Sequence, residues 1–399
     1  MLRDKNVVLG VTGSIAAFKA AELASQLTQA GAEVTAVMTE EAIQFVSPVT
    51  FRAVTGRPVV TEMFDLTSEF SVEHVSLARA ADIVVVAPAT ANIIAKLAAG
   101  IADDMLCCTV LATKAPILIA PAMETNMYRN GVTQDNLSRL KARDFTVVGP
   151  ATGWLASGRQ GPGRLADISD IIGSICWVLG RDGDLAGRRI VVTAGGTQEP
   201  VDPVRYISNR SSGKMGYALG EAARDRGASV TLVTAPTSLA KPIGIEIIQV
   251  ATAREMDQAV KAAVLQADAL IMAAAVADYR PKSTAKEKIK KEKAGLTLPL
   301  VRTPDILGAV KGSVIKVGFA AESSNIEAGA RKKLSQKKLD LIVANDITAG
   351  DSGFNTDTNR VTMIDRRGKV DRLPLLPKRD VADKVLDKVV ALLSMSRSR

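Results

Sequence analysis

Residues 191–234 read VVTAGGTQEPVDPVRYISNRSSGKMGYALGEAARDRGASVTLVT, and one short polar stretch inside them gathers Arg205, Asn209, Arg210, Ser211, Ser212 and Lys214. These side chains donate hydrogen bonds or carry positive charge, and the neighbouring glycines leave backbone N–H groups open, so the stretch suits an anionic ligand such as a phosphate. A second basic run, KEKIKKEK from Lys286 to Lys293, reads by itself as a solvated face. His74 is the only histidine. Its imidazole titrates near neutral pH and can move protons, although a lone histidine is more commonly a surface or packing residue.

The elements that must position these residues are βαβ units. NVVLGVTGSIAAFKAAELASQLTQAGAEVTAVMT runs from a β-branched stretch through Gly10, Gly13 and Ser14 into a helix-period stretch ending near Gly31, and then into a second strand. ADIVVVAPAT and APILIAPAM are further buried-strand runs, each ending in Pro, Ala and polar residues, as expected at the carboxyl ends of parallel strands where α/β sites lie. ANIIAKLAAGIADDMLCCTVLA between them has helical spacing, and GRQGPGR, residues 158–164, reads as a loop. A charged hinge, GRDGDLAGRR, precedes a second series of strands: IVVTAGG, SVTLVTAP, ALIMAAAVADYR, VIKVGFAAE and DLIVAND. The expectation is an α/β protein of two doubly wound domains, residues 1–185 and 186–399.

Composition sets outer bounds. A chain of 399 residues that is 47% hydrophobic can bury two cores. The net charge of +9 raises the possibility of nucleic acid, but aromatics are 4% and the basic residues are dispersed, so phosphorylated small molecules are the expected partners. Cys107, Cys108 and Cys176 lack CxxC or metal-ligand spacing, which points away from disulfides and a zinc site and towards a reducing compartment. With no signal-peptide core and no apolar run long enough to span a bilayer, a cytoplasmic protein free of membrane attachment is expected.

GVTGSIAAFK, APATANIIAKLAAGIADD and PAMETNMY together resemble the flavin-dependent cysteine decarboxylases. The resemblance covers about the first 170 residues. It implies a flavodoxin-like flavoprotein domain, trimeric, with FMN between subunits. By position, FMN contacts fall on Gly13, Ser14, Ile15 and Thr39, and on Ala89, Thr90, Ala91 and Asn92. His74 matches the catalytic base, which assists proton removal while FMN oxidises the cysteinyl thiol; carbon dioxide then leaves, and the electrons return. Two departures stand out. The PxMNxxMW pattern has Glu124 for its asparagine and Tyr128 for its tryptophan, and the ACG motif appears as Ala156, Ser157 and Gly158. The family's cysteine protonates the final enethiolate; serine is a far weaker acid, which leaves Ser157 and Glu124 as candidates for that role.

AGGTQEPVDPVRYISNRSSGKMG, AAAVADYRPKSTAKEKIKK, TPDIL, VGFAAES and LDLIVANDI look like the bacterial phosphopantothenate–cysteine ligases, across nearly all of residues 186–395. This implies a Rossmann-like ligase domain that joins 4′-phosphopantothenate to cysteine through an acyl-cytidylate, using CTP and Mg²⁺. Asn209 matches the residue acting on the acyl-cytidylate, and Lys288 the active-site lysine. Asp278, Phe319, Lys333 and Lys337 match nucleotide positions, joined by Ala273, Ala274, Ala275, Pro304, Asp305 and Ile306; the Mg²⁺ ligands are not assigned. Each has a plainer reading: a strand-end cap for Asp278, core for Phe319, an exposed stripe for Lys333 and Lys337, a turn for Asn209.

The domain order resembles the bifunctional enzymes of coenzyme A synthesis, a decarboxylase fused to a ligase. That implies a homo-oligomer, a dodecamer built from trimers of the first half and dimers of the second. Two other classes stay open: a ligase fused to a degenerate flavin-binding oligomerisation or regulatory domain, and a nicotinamide-dependent oxidoreductase. The latter lacks a GxGxxG followed by a ribose-binding acid.

Overall fold

The computed structural model describes residues 2–63, 73–291, 296–322, 326–346 and 356–396. The chain divides into two compact units, Met1–Gly180 and Arg181–Arg399. Leu185 is fully buried in the second core and its N–H donates to Arg226 O at 2.9 Å, so the hinge sequence already belongs to the second unit.

In the first unit β1 (Asn6–Val11), β2 (Glu33–Met38), β3 (Ile83–Ala89), β4 (Ile117–Pro121) and β5 (Thr146–Val147) form a parallel sheet in the order β2-β1-β3-β4-β5. This is the flavodoxin-like winding, whose crevice opens between β1 and β3 where the strand order reverses. All seven residues of β3 are buried, the pattern of a strand covered on both faces. The helices of this unit are α1 (Ala17–Gln29), α2 (Glu40–Ile43), α3 (Pro48–Thr55), α4 (Glu73–Ala80), α5 (Ala91–Ala99), α6 (Met105–Ala112), α7 (Thr125–Arg129), α8 (Gly131–Lys141) and α9 (Ile168–Leu179).

Two local expectations are corrected. The run ANIIAKLAAGIADDMLCCTVLA is two helices, because Gly100 ends α5 in the left-handed region at φ 75° and Asp104 starts α6 by accepting from Cys107 N at 2.8 Å. GRQGPGR is not merely loop: β6 (Ala151–Trp154) and β7 (Gln160–Arg164) pair as an antiparallel hairpin. Its glycines are there for clearance. A Cβ at Gly161 would lie 2.4 Å from Thr125 Oγ1, and one at Gly163 2.1 Å from Met123 O.

In the second unit the strands are β8 (Arg189–Ala194), β9 (Gln198–Pro200), β10 (Tyr206–Ser208), β11 (Ser229–Thr234), β12 (Glu246–Gln249), β13 (Ala269–Met272), β14 (Tyr279–Pro281), β15 (Leu300–Arg302), β16 (Ile315–Glu322), β17 (Leu341–Asp346), β18 (Thr358–Asn359), β19 (Val361–Asp365), β20 (Val370–Arg372) and β21 (Leu376–Pro377). The main sheet runs β12-β11-β8-β13-β16-β17-β19-β20, parallel through β17 and antiparallel beyond. Its parallel part follows the dinucleotide-binding winding, with the order reversing between β8 and β13.

The helices here are α10 (Lys214–Arg224), α11 (Ala253–Ala263), α12 (Ile306–Ala309), α13 (Ile326–Gln336) and α14 (Lys378–Ser396). Val381, Val385, Leu386, Val389 and Leu393 of α14 recur at three- and four-residue steps and bury against the sheet and α10. Buried Asp225 fixes α14 further, taking Arg224 at 2.6 Å and Arg379 at 2.7 Å. Among the described residues, no helix is long and apolar enough to cross a membrane.

Candidate functional sites

A cavity of about 840 Å³ opens at the carboxyl end of β13, beside β16, β17 and the head of α10, next to the reversal of the winding between β8 and β13. Its floor is tied together by strand-end threonines. Thr193 Oγ1 accepts from Ala274 N and Thr197 Oγ1 accepts from Ala277 N, both at 3.0 Å, while Ala275 N donates to Gly195 O at 2.8 Å. The polar loop folds over this floor. Asn209 Nδ2 donates to Val276 O at 3.1 Å and to Ala275 O at 3.4 Å. Carbonyls only accept, so these bonds fix the amide's orientation and leave Oδ1 for a donor. Gly196 permits the crossing, since a Cβ there would stand 2.7 Å from Asn209 O.

The loop delivers Gly213 and Lys214 to the head of α10, which needs no side-chain cap where the cavity lies. Asn209, Ala273, Ala274, Ala275, Asp278, Pro304, Asp305, Ile306, Phe319, Lys333 and Lys337 all line the cavity. Lys337 Nζ meets Asp305 Oδ1 at 2.9 Å, and Asp305 also accepts from Gly308 N at 3.1 Å to start α12. Burial pushes the Asp305 carboxyl up, but Lys337 and the Gly308 N–H outweigh it and the net shift is downward.

Lys288 is placed differently. It is exposed and does not line the cavity. Its segment is clasped to the loop after β9: Ala285 N donates to Val201 O at 3.0 Å and Ile289 N to Asp202 Oδ2 at 3.2 Å, and Arg205 Nη2 donates to Ile289 O at 2.9 Å. Buried Asp202 is the pivot, and its bonds to the Arg205 guanidinium hold its carboxyl well below the usual range. Glu292 and Lys293 of the basic run lie outside the described residues.

Sequence reading singled out neither Lys378 nor Asn345, yet both line this cavity. Lys378 is 6% exposed, and the Asn345 Oδ1 atom is buried with no hydrogen-bond partner. A lysine opening a charged helix resembles a solvated residue, so no sequence signal marks it.

The first unit holds a cavity of about 630 Å³ at the β1/β3 reversal. Gly13, Ser14, Ile15, Thr39, Thr90, Ala91, Asn92, Glu124 and Ser157 line it. Buried Thr12 joins the two strand ends, its hydroxyl donating to Pro88 O at 2.7 Å and accepting from Thr90 N at 3.2 Å. Thr90 Oγ1 caps α5 and Thr39 Oγ1 caps α2. Gly13 has no alternative, since a Cβ there would stand 2.4 Å from Glu41 Cβ. Ala89 closes β3 as a fully buried residue behind this wall, and half-buried His74 lies on α4; neither lines the cavity. Glu124 caps α7, accepting from Asn126 N at 2.5 Å, and Ser157 sits in the turn of the β6–β7 hairpin.

Asp103, Asp104 and Cys107 cluster tightly enough for a metal, with ligand atoms within 4.8 Å of one another. Lys96 already meets both carboxylates, at 2.9 and 3.1 Å. Burial and then Asp104 push the Cys107 thiol up. The cluster therefore reads as an ion-pair anchor.

Comparison with known proteins assigns each half. Residues 1–180 match the family described as Flavoprotein, and residues 185–393 match the DNA/pantothenate metabolism flavoprotein C-terminal domain. The coenzyme A biosynthesis bifunctional protein CoaBC of Bacillus subtilis (strain 168) is 45% identical over 405 residues, covering 100% of each chain. That of Escherichia coli (strain K12) is 45% identical over 399 residues, covering 98% of this chain and 97% of its own. A crystal structure of the C-terminal domain of a CoaBC protein is 42% identical, covers 53% of this chain and 98% of its own, and superposes with a TM-score of 0.46. With both domain models matched in order and relatives aligned from end to end, the chain belongs to the CoaBC family of bifunctional coenzyme A biosynthesis proteins.

Proposed function

We propose that the second unit joins 4′-phosphopantothenate to cysteine at the expense of CTP, and that the first decarboxylates the product to 4′-phosphopantetheine with FMN. The observation that carries this reading is a pair of switch-point cavities of different chemistry. The second is walled by Lys214, Lys333, Lys337 and Lys378, a set that suits a triphosphate; the first combines hydroxyl and amide donors with Ile15, Ile93, Met123 and Leu155, a set that suits a flat ring bearing a phosphate.

In the ligase half, a carboxylate oxygen of phosphopantothenate bonds to the α-phosphorus of CTP, the bond to the β-phosphate oxygen breaks, and pyrophosphate leaves with the electron pair. The lysines balance the charge that develops there. Mg²⁺, when bound, supplies further neutralisation of the phosphates; a hard cation takes oxygen ligands, and Asp278 is the cavity carboxylate not committed to capping a helix. The cysteine amine then attacks the acyl carbon and CMP departs. Asn209, with Nδ2 committed to two carbonyls, presents Oδ1 to accept from that amine and aim it. Lys288 serves from outside the wall, either by movement of its clasped segment or from a second copy of the chain.

In the decarboxylase half, Gly13, Ser14, Thr39, Thr90 and Asn92 would hold FMN. FMN, when bound, accepts electrons from the cysteinyl thiol and returns them, so that loss of carbon dioxide is made possible without net redox change. Glu124 and Ser157 line the same cavity, and one of them would deliver the closing proton. His74 does not reach this wall, so a neighbouring copy supplies it as base, which makes a homo-oligomer part of the reading. Ile15 and Phe18, 59% and 60% exposed beside the cavity, are the apolar side chains such a neighbour would cover. We place the protein in the cytoplasm, in keeping with three free cysteines.

The test is incubation of the purified chain with phosphopantothenate, cysteine, CTP and Mg²⁺, with product masses and released carbon dioxide followed together. CMP, pyrophosphate, carbon dioxide and 4′-phosphopantetheine are expected. Absence of CMP refutes the ligase half. Accumulation of phosphopantothenoylcysteine without carbon dioxide from FMN-loaded protein refutes the other, and leaves the first unit as a scaffold.

A further inference from the structure

Asp202 stands on the loop between β9 and β10, buried, and it does not line the cavity. A carboxylate taken out of water needs hydrogen bonds in return, and Asp202 collects them from two directions. Oδ1 accepts from Val204 N at 2.9 Å and from Arg205 N at 2.8 Å, which closes the loop on itself. Oδ2 accepts from Arg205 Nε at 3.0 Å, from Arg205 Nη2 at 2.5 Å and from Ile289 N at 3.2 Å. Arg205 Nη2 also donates to Ile289 O at 2.9 Å. One ion pair thus grips both the N–H and the C=O of a single residue.

Closing a turn requires only the Oδ1 bonds. The bond to Ile289 spans 87 residues of sequence, and it is braced by two more between the same segments: Thr284 Oγ1 donates to Pro200 O and Ala285 N donates to Val201 O, both at 3.0 Å. Ile289 directly follows Lys288, whose side chain is exposed, so the backbone at 289 decides where Lys288 stands. On the other side, Arg205 leads through β10 to Asn209, which is anchored independently by its bonds to Ala275 O and Val276 O. The clasp therefore sets Lys288 against a residue that is already fixed.

We propose that Asp202 is a positioning residue for ligation: through its pair with Arg205 it pins residue 289 and so fixes the reach of Lys288 relative to Asn209. The inference rests on the reading of Lys288 and Asn209 as ligase residues and adds the group that sets their spacing. Misplacing a reacting group by about 1 Å can cost about 100-fold in rate. Because Asp202 lies off the cavity wall, that loss falls on turnover and leaves nucleotide binding alone.

The test is a double-mutant cycle on the full chain, with CMP release measured for wild type, Asp202→Asn, Lys288→Ala and the double variant, CTP binding followed by calorimetry, and thermal melts confirming folding. In Asp202→Asn one acceptor oxygen becomes an NH₂ group, which cannot accept from a guanidinium or an amide N–H. This variant is expected to lower kcat about 10- to 100-fold, the range for a charge-assisted hydrogen bond, with the Kd for CTP within about twofold of wild type. In the Lys288→Ala background the same change is expected to cost less than about twofold, because a residue that acts through Lys288 has nothing left to position. Trypsin reads the posture itself: cleavage after Lys286, Lys288 and Lys290, followed by mass, should be about 10-fold faster or more in Asp202→Asn. Unchanged kcat, unchanged cleavage, or a full loss repeated in the Lys288→Ala background overturns the positioning role. Faster turnover overturns it as well, since the clasp would then restrain Lys288. Wild-type activity in Lys288→Ala alone overturns the reading of Lys288 on which the inference rests. Should Asp202→Asn fail to fold, Arg205→Lys takes its place under the same criteria, because a single ammonium lacks the fork that holds the carboxylate and the Ile289 carbonyl together.

Discussion

Gly216 and Gly220 stand one turn apart on α10, both buried, yet substitution by alanine should move stability in opposite directions. Alanine in a helix interior gains roughly 1 kcal/mol over glycine. At Gly220 the new methyl group would meet only side-chain ends, Ile245 Cδ1 at 3.4 Å and Val230 Cγ1 at 3.8 Å, so most of that gain survives. At Gly216 it would stand 2.6 Å from both Thr193 O and Ala194 Cβ and 2.9 Å from Ala194 Cα. These atoms belong to β8, which is bonded on both sides by β11 and β13 and cannot give way. The helix must lift instead, and with fixed strand atoms at 2.6 Å the overpacking cost falls in the upper part of its usual range, about 2–3 kcal/mol.

Net of propensity, Gly216→Ala should destabilise the second unit by about 1–2 kcal/mol, whereas Gly220→Ala should stabilise it by about 0.5–1 kcal/mol. At roughly 2–4 °C per kcal/mol for a unit of this size, the melting temperature should fall by about 2–8 °C in the first case and rise by about 1–4 °C in the second. Differential scanning calorimetry of the full chain reads both. Lifting α10 also displaces Gly213 and Lys214 from the cavity, so Gly216→Ala should raise the KM for CTP and Gly220→Ala should not. Refutation is simple: a Gly216→Ala protein that melts at or above wild type, or a Gly220→Ala protein that loses as much, means that helix–strand approach does not set the fit.

Two further outcomes follow from the cavities. Lys378 is held at about 8 in the folded chain against 10.5 in the unfolded one, so between those values the unfolded chain binds the extra proton and stability should rise with pH. Below about pH 8 the full cost, at most roughly 3 kcal/mol, is present; Lys378→Met should be the more stable protein at pH 7 and lose that rise, and superimposable pH–stability curves would contradict it. In the first unit, Ser157→Cys should speed formation of 4′-phosphopantetheine and reduce any two-electron-oxidised product, as read by mass. An unchanged rate, with Glu124→Gln trapping the oxidised product, would assign the closing proton to Glu124, and normal product from both Glu124→Gln and Ser157→Ala would exclude both side chains.

Strand runs were legible because β3, β4 and β13 are covered on both faces and so read as unbroken apolar stretches. The loop residues Asn209 and Lys214 were legible because donors concentrated at a strand end have few other uses. What escaped the sequence depends on long-range approach. GRQGPGR carries turn composition, but its glycines answer to Thr125 and Met123, contacts that no local window contains. Lys288 reads as a site residue from the motif around it, whereas the clasp through Asp202 and Arg205, more than 80 residues earlier, decides where it stands. Lys378 was invisible for the converse reason: it is buried where the head of α14 meets the segment at Thr356 and Asp357, while its local sequence is that of a surface helix.

The β6–β7 hairpin divides its labour between base and tip. At the base, Gly161 and Gly163 have no room for a side chain, and Met123 N donates to Gly163 O at 3.0 Å. At the tip, Gly158 N donates to Leu155 O and Leu155 N to Arg159 O, both at 2.9 Å, so the turn closes through backbone alone. Ala156 and Ser157 are exposed there, and no atom crowds the Cβ direction of Gly158. The hairpin thus works as an interchangeable tool head: residues at its tip can be exchanged without renegotiating the sheet beneath. Serine can stand at 157 at no cost to folding, and laboratory diversification of residues 156 and 157, with Gly158 retained for its left-handed φ of 74°, should alter proton delivery while nearly every variant still folds.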